Sequence, residues 1–338
     1  MRVLIATDAW HPQVNGVVRT LTSLAHAAKA LDVEIDFLTP EGFRSWPQPT
    51  YPGLRFALPS AKEIARRIEK AAPDALHIAT EGPIGWAARA YCRRNRLAFT
   101  TSYTTRFPEY VSVRTGIPSS VGYAVLRHFH DAAAMIMVAT PSLRQELSER
   151  GFKRLGFWTR GVDTELFHPD SPARLDLPGP IFMTMGRVAV EKNLEAFLSL
   201  DLPGTKVVVG DGPQKAALEK KYPDAVFLGE KKGADLTAHL AAADVFVFPS
   251  LTDTFGVVQL EALACGTPVA ALPVQGPLDV LAPEVGVMDE ALDRAIKGAL
   301  TLDRQTCADY GQGFSWRASA EQFLSALAPI ERNLRVAA

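Results

Sequence analysis

Cysteine is scarce in this chain, with three residues among 338. Cys92, Cys265 and Cys307 lie far apart, and their odd number and spacing fit neither a disulfide framework nor a zinc site. The seven histidines show no metal-binding spacing, since His128 and His130 would point to different faces of a helix. We therefore expect a protein of the reducing cytoplasm.

Long apolar runs are also missing. No stretch approaches the roughly 18 residues that span a bilayer. The opening MRVLIATDAW is read as a β-strand and not as a signal peptide, because one basic residue and a short apolar run are followed by Asp8. The motifs G-x-G-x-x-G, G-x-x-x-x-G-K-[ST] and G-x-S-x-G are absent, which argues against dehydrogenases, P-loop proteins and α/β-hydrolases.

The small net charge of −1 hides an uneven distribution. Residues 1–165 contain 21 Lys and Arg against 15 Asp and Glu, whereas residues 166–338 contain 15 against 22. A basic first half suggests contact with something anionic. Two groups of bases on predicted helices fit either solvated helix faces or an anionic membrane surface, where each nearby base contributes about 1 kcal/mol. They are Lys62, Arg66, Arg67 and Lys70, and Arg89, Arg93, Arg94 and Arg96.

Short apolar or β-branched runs recur along the chain, and each is followed by a longer helical pattern. Continuous apolar strands that alternate with helices indicate buried parallel sheets in α/β layers. The runs are Val3–Thr7, Val33–Leu38, Ala75–Ile78, Leu97–Ser102 and Met135–Ala139, then Ile181–Met185, Lys206–Val209, Ala225–Leu228, Val245–Pro249 and Thr267–Leu272.

The series of runs restarts after a Pro- and Asp-rich stretch, His168–Pro180, which is the best candidate for a linker. The sequence therefore predicts two doubly wound, Rossmann-like domains, residues 1–167 and 168–318, with a ligand site in the cleft between them. The final helical segment, within residues 319–338, is compatible with either domain.

The most informative stretch is Pro249–Ala271, in which a strand leads through a short polar loop into a helix. The amides of Phe255, Gly256, Val257 and Val258 would be unpaired at the helix N-terminus, and with the helix dipole they suit a diphosphate. Glu261 could accept both hydroxyls of a ribose and Asp253 could hold sugar hydroxyls. The alternative is that Asp253 or Thr254 caps the helix and Glu261 is a surface residue.

Two further stretches follow strands. In Met185–Phe197 a turn at Gly186 precedes Arg187 and Lys192, two cations that suit a pyrophosphate leaving group. A helix start with solvated bases is the alternative. In Val207–Gln214 a strand enters a Gly-rich turn that begins at Gly210, a pattern that many α/β proteins share.

In combination these stretches resemble the retaining glycosyltransferases of family four, and the resemblance covers nearly the whole chain. The family has the GT-B fold, in which two Rossmann-like domains face each other across a cleft. Four motifs carry the resemblance: the acid-x₇-Glu pair Asp253 and Glu261 within D-T-F-G-x-V-x-x-E-A, the G-R-x₄-K element Gly186, Arg187 and Lys192, the G-x-G-P turn Gly210–Pro213, and the loop Asn15, Gly16, Val17 and Val18.

The resemblance implies roles for these residues. Glu261 would hold the ribose, Arg187 and Lys192 the diphosphate, and Asp253 the donor sugar. It implies transfer of a hexose or hexuronic acid from a UDP- or GDP-sugar to a hydroxyl acceptor with retained anomeric configuration. The departing phosphate would help to deprotonate the acceptor. No metal is indicated, because no D-x-D or His/Asp cluster adjoins the diphosphate elements. No other cofactor and no nucleic-acid partner is expected.

Three segments, His77–Gly85, Ser102–Val111 and Arg160–Pro169, resemble the branch that glycosylates lipids such as diacylglycerol and phosphatidylinositol. The resemblance implies a lipid acceptor and a location in the cytoplasm or at the inner face of the membrane. Many relatives carry S-[FY]-H-T where this chain has Thr104 in place of the His. Phe107, Tyr110 and Val111 would touch the lipid or close the core.

Four residues of the first half are candidates for lining the acceptor or sugar site. His11 follows the first strand beside Trp10, and Glu81 lies in a turn after another strand. Thr104 and Arg106 could accommodate an anionic group at C6 of the donor sugar, such as a glucuronate. For each of them a packed or solvated structural role is the alternative.

Two other functions remain open. A GT-B-fold epimerase or phosphorylase-like protein would act on an activated sugar without an external lipid acceptor. A non-catalytic sugar-nucleotide-binding protein would bind the nucleotide without turnover, although the complete set of acidic and basic site residues argues against a decayed site.

The interpretation of Arg106 is testable. Replacing it in Arg106→Ala should lower activity with a uronate donor more than with a neutral hexose donor, because only the uronate carries a charge for the guanidinium to pair with. The ratio of kcat/KM values for the two donors measures this. An equal loss with both donors would contradict the interpretation.

Overall fold

The computed structural model describes residues 1–11, 16–47, 55–104, 106–108, 111–112, 116–170, 175–251, 253 and 255–330. The chain forms two compact units, Met1–Thr159 with Ser319–Ala338, and Arg160–Ala318. Residues 160–167 go with the second unit, since the amide of Val162 donates to the carbonyl of Phe314 at 2.7 Å. Part of the predicted linker, residues 171–174, lies outside the described residues.

The described part of the first unit contains a six-stranded parallel sheet with the strand order β2-β1-β5-β6-β7-β8. A short antiparallel hairpin, β3–β4, accompanies it. The strands are β1 Arg2–Ala6, β2 Glu34–Leu38, β3 Ser45–Pro47, β4 Arg55–Ala57, β5 Ala75–Ile78, β6 Thr100–Ser102, β7 Met135–Val138 and β8 Leu155–Phe157. The helices are α1 Gly16–Lys29, α2 Ala61–Ala71, α3 Pro83–Asn95, α4 Ser119–His130 and α5 Pro141–Glu149.

The sheet of the first unit is covered on both faces, as its continuous apolar strands predict. Successive side chains of a strand point to opposite faces. In β1, Val3 and Ile5 join a buried cluster with Leu21 of α1, whereas Leu4 joins a second cluster with Ile64 of α2. A single apolar strand thus supplies the core on both sides of the sheet.

The described residues of the second unit repeat this plan in a six-stranded parallel sheet, β11-β10-β9-β12-β13-β14. Its strands are β9 Ile181–Met185, β10 Thr205–Val209, β11 Val226–Gly229, β12 Val245–Phe248, β13 Val269–Ala271 and β14 Gly286–Met288. Its helices are α6 Leu194–Leu198, α7 Lys215–Lys221, α8 Gly233–Ala242, α9 Val257–Ala264, α10 Gln275–Val280, α11 Leu292–Ala299 and α12 Arg304–Gln312. The last helix, α13 Trp316–Ser325, spans the point where the chain passes from the second unit to the first.

The structure confirms the prediction of two parallel α/β sheets, and all ten predicted strands are present with small shifts at their ends. It adds the hairpin strands β3 and β4 and the edge strands β8 and β14, which the sequence did not predict. Each of these has three residues, too few to show a periodic pattern. The strands β6 and β13 are equally short, but they lie within the longer runs Leu97–Ser102 and Thr267–Leu272. None of the helices in the described ranges is long and apolar enough to cross a bilayer.

One basic residue of α3 is placed differently from the prediction. Arg89 does not belong to a solvated or membrane-facing row, because it is only 6% exposed. Its guanidinium donates to the carbonyls of His128 and Phe129, each at 2.7 Å. These carbonyls belong to the last turn of α4, where they lack partners within the helix, so Arg89 caps α4.

Each sheet has a point where the strand order reverses. In the first unit the chain leaves β1 for β2 on one side and later returns to β5 on the other side. In the second unit β9 lies in the same way between β10 and β12. Ligands of open α/β sheets bind outside the carboxyl ends of the two strands at such a switch point. Segments that follow β1, β5, β9 and β12 are therefore the places to look for sites.

At the first switch point the loop after β1 is tied to the start of α3 by Asp8. Its carboxylate accepts hydrogen bonds from the amides of Ile84 at 2.8 Å and Gly85 at 3.2 Å, and from the Thr80 hydroxyl at 2.9 Å. Burial raises the pKa of Asp8 above its usual value, although these three hydrogen bonds act in the opposite direction. Asp8 therefore caps α3 from a neighbouring loop.

Removing this cap should destabilise the protein. Asp8→Ala leaves two helix amides and the Thr80 hydroxyl without their acceptor, and we expect a loss of about 2 kcal/mol in the free energy of unfolding of the first unit. Urea denaturation followed by circular dichroism measures it. The matched control is Asp131→Ala, which removes an exposed carboxylate of the same unit. Equal stability of the two variants would contradict the capping role.

Candidate functional site

The segment after β9 forms one side of the switch point in the second unit. Gly186, with a φ of 144°, ends the strand, and Arg187 follows with an exposed side chain. A 3₁₀ turn over Val190–Lys192 then leads to Asn193, which adopts a left-handed conformation with a φ of 52°. Asparagine tolerates this conformation better than most residues. The turn redirects the chain into α6 and leaves Lys192 at the carboxyl edge of the sheet.

The Gly-rich turn after β10 lies directly against this segment. The amide of Gly186 donates to the carbonyl of Val209 at 3.0 Å, and the amide of Val188 donates to the carbonyl of Asp211 at 2.9 Å. A Cβ atom on Gly210 would collide with the carbonyl of Gly186. Glycine is therefore needed here because two backbone segments approach each other closely.

The segment after β12 forms the other side of the switch point. Gly256 is the N-cap of α9 in the left-handed conformation, with a φ of 73°, and the helix begins at Val257 as the sequence predicts. The amides of Phe255, Gly256, Val257 and Val258 donate no hydrogen bond to any residue that the structure describes. They are the kind of unpaired donors that bind anions at helix N-termini.

Three contacts tie the two sides of the switch point together. Lys192 Nζ donates to both carboxylate oxygens of Asp253, at 2.8 and 2.7 Å. The Asn193 side-chain amide donates to the carbonyl of Pro249 at 3.1 Å, and the Ser250 hydroxyl donates to the carbonyl of Glu191 at 3.3 Å. The predicted residues Lys192 and Asp253, which are 61 positions apart in the sequence, therefore lie together.

Asp253 does not cap α9 with its side chain, because both of its oxygens accept hydrogen bonds from Lys192 and the helix has no side-chain cap among the described residues. Thr254, the other candidate cap, lies outside the described residues. Glu261 is not a surface residue, since it is 1% exposed. Both findings exclude the structural alternatives that the sequence had left open for these two carboxylates.

Asn193, Ser250 and Gln259 are residues of this site that sequence reasoning missed. Gln259 is fully buried on α9, and its Nε2 donates to the carbonyl of Phe255 at 3.1 Å, while its Oε1 has no partner among the described residues. A polar side chain inside an otherwise apolar helix, in VVQLEALA, is the signal that could have identified it.

This edge of the second unit can bind a dianion. It offers the four amides of the α9 N-terminus, which have no acceptor among the described residues, and the cation of Lys192. It also offers the exposed cation of Arg187, which makes no hydrogen bond or ion pair to another described residue. Such an arrangement stabilises negative charge that develops on a departing phosphate. The side-chain exposures of Lys192, 28%, and Asp253, 25%, leave the pair open to a ligand.

The predicted residues of the first unit lie near the carboxyl edge of its own sheet. His11 is exposed in the turn after β1 and packs edge-on against Trp10, with 5.4 Å between ring centroids. Gly16 is the exposed first residue of α1, and its neighbour Asn15 lies outside the described residues. Glu81 follows β5 and its side chain is nearly fully buried.

The predicted residues after β6 are only partly described. Thr104 is half-buried, and Arg106 forms a two-pronged ion pair with Glu146 of α5, so it is not a freely solvated arginine. Hydrogen bonds from Arg106 lower the pKa of Glu146, although burial acts against them. Phe107 and Val111 are exposed, which argues against the alternative that these two side chains close the core. Tyr110 and Arg114 lie outside the described residues.

The described residues contain neither a reactive thiol nor a cluster of side chains that could bind a metal ion. Burial raises the pKa of Cys92 and of Cys265 to about 12 and that of Cys307 to about 11, so these thiols remain protonated. No group of three or more His, Cys, Asp or Glu side chains in the described ranges is arranged to hold a metal ion. The expectation that no metal takes part stays a prediction.

Solved structures share this architecture along nearly the whole chain. Sucrose-phosphate synthase from Thermosynechococcus elongatus matches with a TM-score of 0.76 and 22% identity, over 96% of this chain and 97% of the other. HepE from Anabaena, solved with UDP, matches with a TM-score of 0.70 and 15% identity, over 96% and 99%. The fold is therefore that of the GT-B glycosyltransferases.

The sequence comparisons identify the family. A model described as Glycosyltransferase Family 4 matches residues 14–166, and one described as Glycosyl transferases group 1 matches residues 179–297. A GDP-mannose-dependent alpha-mannosyltransferase of Mycobacterium tuberculosis is 30% identical over 367 residues, which cover 96% of this chain and 95% of the relative. The chain is a glycosyltransferase and belongs to glycosyltransferase family 4.

The names of two other relatives mention a different sugar or a lipid. A sulfoquinovosyl transferase of Arabidopsis thaliana is 32% identical over 257 residues; the match covers 71% of this chain and about half, 50%, of the relative's length. An alpha-monoglucosyldiacylglycerol synthase of Acholeplasma laidlawii is 24% identical over 321 residues, which cover 80% of this chain and 79% of the relative.

The conformation of Gly256 provides a test of the anion-binding role. In Gly256→Ala the new Cβ would lie 2.5 Å from Gln259 Nε2 and 2.9 Å from the Phe248 ring, so the loop must shift and misalign the free amides. We expect at least a tenfold weaker affinity for nucleoside diphosphates, about 1.4 kcal/mol. Isothermal titration with UDP and with GDP measures it.

The control for this prediction is Gly233→Ala in the same unit. Gly233 also has a positive φ, 56°, but nothing lies within 4 Å of its Cβ position. An equal loss of affinity in both variants would show that backbone strain, and not the position of the amides, is responsible.

Proposed function

We propose that this chain transfers a hexose or a hexuronic acid from a UDP- or GDP-sugar to the hydroxyl of a membrane lipid such as diacylglycerol, with retention of anomeric configuration. The observation that carries the proposal is the set of hydrogen-bond donors and cations at the carboxyl edge of the second sheet. There the free amides of the α9 N-terminus, Arg187 and Lys192 lie at one switch point. A nucleoside diphosphate is the leaving group that such an edge fits.

In the proposed reaction, the bond between the sugar C1 and the diphosphate oxygen breaks, and the new bond forms to the acceptor oxygen on the same face. Arg187 and Lys192 stabilise the charge that grows on the diphosphate, with the α9 amides as further donors. The acceptor proton passes to the departing phosphate oxygen, which is the step that the family resemblance implies. No side chain of the protein serves as a nucleophile.

Asp253 has two functions in this proposal. It accepts hydrogen bonds from hydroxyls of the donor sugar, and it holds Lys192 in place before the donor binds. Donor binding lets Lys192 turn from the carboxylate to the diphosphate, because the ion pair is part-exposed and leaves room for exchange. Glu261 lies five residues after Gly256 on α9 and accepts the ribose hydroxyls.

Three observations support a lipid acceptor at an anionic membrane. The Acholeplasma relative is a synthase of monoglucosyldiacylglycerol by its name. The basic residues Lys62 and Lys70 on α2 and Arg93 and Arg94 on α3 are exposed. Phe107 and Val111 are exposed apolar side chains of the same unit.

Two of the four bases on α2 are paired with a carboxylate, which reduces the positive charge that this helix offers to a membrane. Glu63 accepts hydrogen bonds from Arg66 and Arg67, and these lower its pKa to about 2. Arg67 also stacks on Phe43 at 4.1 Å from its ring centroid. One carboxylate neutralises only one of these two guanidinium charges, so Lys62, Lys70 and the remaining charge of the arginine pair supply the positive charge of α2.

The decisive experiment measures nucleotide release from a panel of UDP- and GDP-sugars with and without diacylglycerol vesicles. We expect release that depends on vesicles and on one donor, together with a new glycolipid. An isomerised sugar nucleotide without transfer would favour an epimerase. Nucleotide binding without any release would favour a non-catalytic binding protein.

Lys192→Ala should lower kcat with the identified donor about 10²- to 10³-fold, because it removes one donor to the developing charge. The matched control, Lys220→Ala, removes an exposed lysine from α7 of the same unit and should retain activity. A Lys192→Ala enzyme with unchanged kcat would contradict the assigned role.

A further inference from the structure

A buried carboxylate, an imidazole and a hydroxyl lie together near the carboxyl edge of the first sheet. Glu81 follows β5, the second strand of the switch point, and His130 is the last residue of α4. His130 Nε2 lies 3.2 Å from Glu81 Oε1, and His130 Nδ1 lies 2.8 Å from the Thr101 hydroxyl of β6. The imidazole thus connects Glu81 to the interior of the sheet.

The direction of these hydrogen bonds depends on the tautomer of His130, and an ionised Glu81 selects one of them. An ionised carboxylate only accepts, so His130 Nε2 donates to Glu81. In the neutral imidazole Nδ1 then accepts from the Thr101 hydroxyl. A fixed partner on the second ring nitrogen sets the tautomer and the orientation of the ring.

Aromatic rings surround His130. It is fully buried, and the rings of Phe129, Phe152 and Tyr103 lie 5.0, 6.0 and 6.1 Å away between centroids. The Glu81 side chain is 3% exposed, although the residue as a whole is half-buried. The exposed part of Glu81 is therefore its main chain, and its carboxylate lies just beneath the surface.

The second carboxylate oxygen of Glu81 has nothing to bind in the described structure. Oε2 is buried and accepts no hydrogen bond from any described residue. An unsatisfied buried acceptor costs about 1–3 kcal/mol. Asp8, the carboxylate on the other strand of the switch point, contrasts with it, because its oxygens accept three hydrogen bonds that cap α3. Capping of α3 therefore accounts for both carboxylate oxygens of Asp8, whereas the contact with His130 accounts for only one of the two oxygens of Glu81.

We propose that Glu81 Oε2 accepts a hydrogen bond from a hydroxyl of the acceptor, and that His130 is the positioning residue that holds the carboxylate for it. This inference rests on the proposed function, because it assumes an acceptor with a free hydroxyl. The new hydrogen bond satisfies the oxygen that has no partner among the described residues. His130 does not touch the acceptor.

The test compares His130→Leu, His130→Gln and Glu81→Gln in the full chain, with the donor and lipid vesicles that support transfer by the unaltered protein. We expect His130→Leu and Glu81→Gln to raise the apparent KM for acceptor lipid at least tenfold, while the KM for the donor stays within twofold. His130→Gln, whose amide can still donate to Glu81, should recover much of the loss. The double variant should be no worse than the poorer single variant, because both remove one interaction.

A matched control is available on the same helix. His128 is exposed and stacks on Trp86 with 6.1 Å between ring centroids, so His128→Leu should leave both KM values unchanged. If His130→Leu does not fold, His130→Gln and Glu81→Gln carry the test, with their melting temperatures measured alongside.

The outcomes separate the two proposals. If the unaltered chain transfers no sugar to any hydroxyl acceptor, the proposed function fails and this inference fails with it. If the unaltered chain transfers sugar but the variants leave the acceptor KM unchanged, or lose activity only in proportion to lost stability, the inference alone is overturned.

Discussion

The position of the first strand inside each sheet is the constraint on which the rest of the molecule depends. Because β1 and β9 each have neighbours on both sides, the chain must leave one edge and return to the other, and the segments after two adjacent strands diverge. Polar side chains follow these strands: Asp8 and Glu81 in the first unit, Arg187 and Asp253 in the second. Packing of apolar strands thus decides where polar groups can meet a ligand.

The two units share one topology but differ at the helix N-terminus beside the switch point, where only the first unit has a carboxylate that accepts hydrogen bonds from the helix amides among the described residues. In the first unit Asp8 accepts hydrogen bonds from the first amides of α3, which neutralises that helix N-terminus. In the second unit no described side chain accepts hydrogen bonds from the amides at the start of α9, and Asp253 is engaged by Lys192. Among the described residues, one helix N-terminus is therefore paired with a carboxylate and the other is not.

Most of the architecture could be predicted from the sequence, because apolar runs of four or more residues in parallel sheets are distinctive. The three-residue strands β8 and β14 could not, since their pairing depends on neighbours that are distant in the sequence. Arg89 likewise has the sequence context of a surface base. Its hydrogen bonds to two carbonyls of α4 are visible only in the folded structure, because α4 is distant in the sequence. The D-T-F-G-x-V-x-x-E-A stretch identified the α9 N-terminus, but not the contacts of Asn193 and Ser250 that support it. Such contacts leave no local pattern.

The last helix has a consequence for how the protein is made. The second unit is one continuous piece of chain, whereas the first is interrupted and is completed by residues from Ser319 onward. Phe323, fully buried beside Trp158 with 4.8 Å between ring centroids, reaches the core of the first unit only after the whole second unit has been synthesised. The core of the first unit is therefore completed by residues that are synthesised last, whereas the core of the second unit is complete without them.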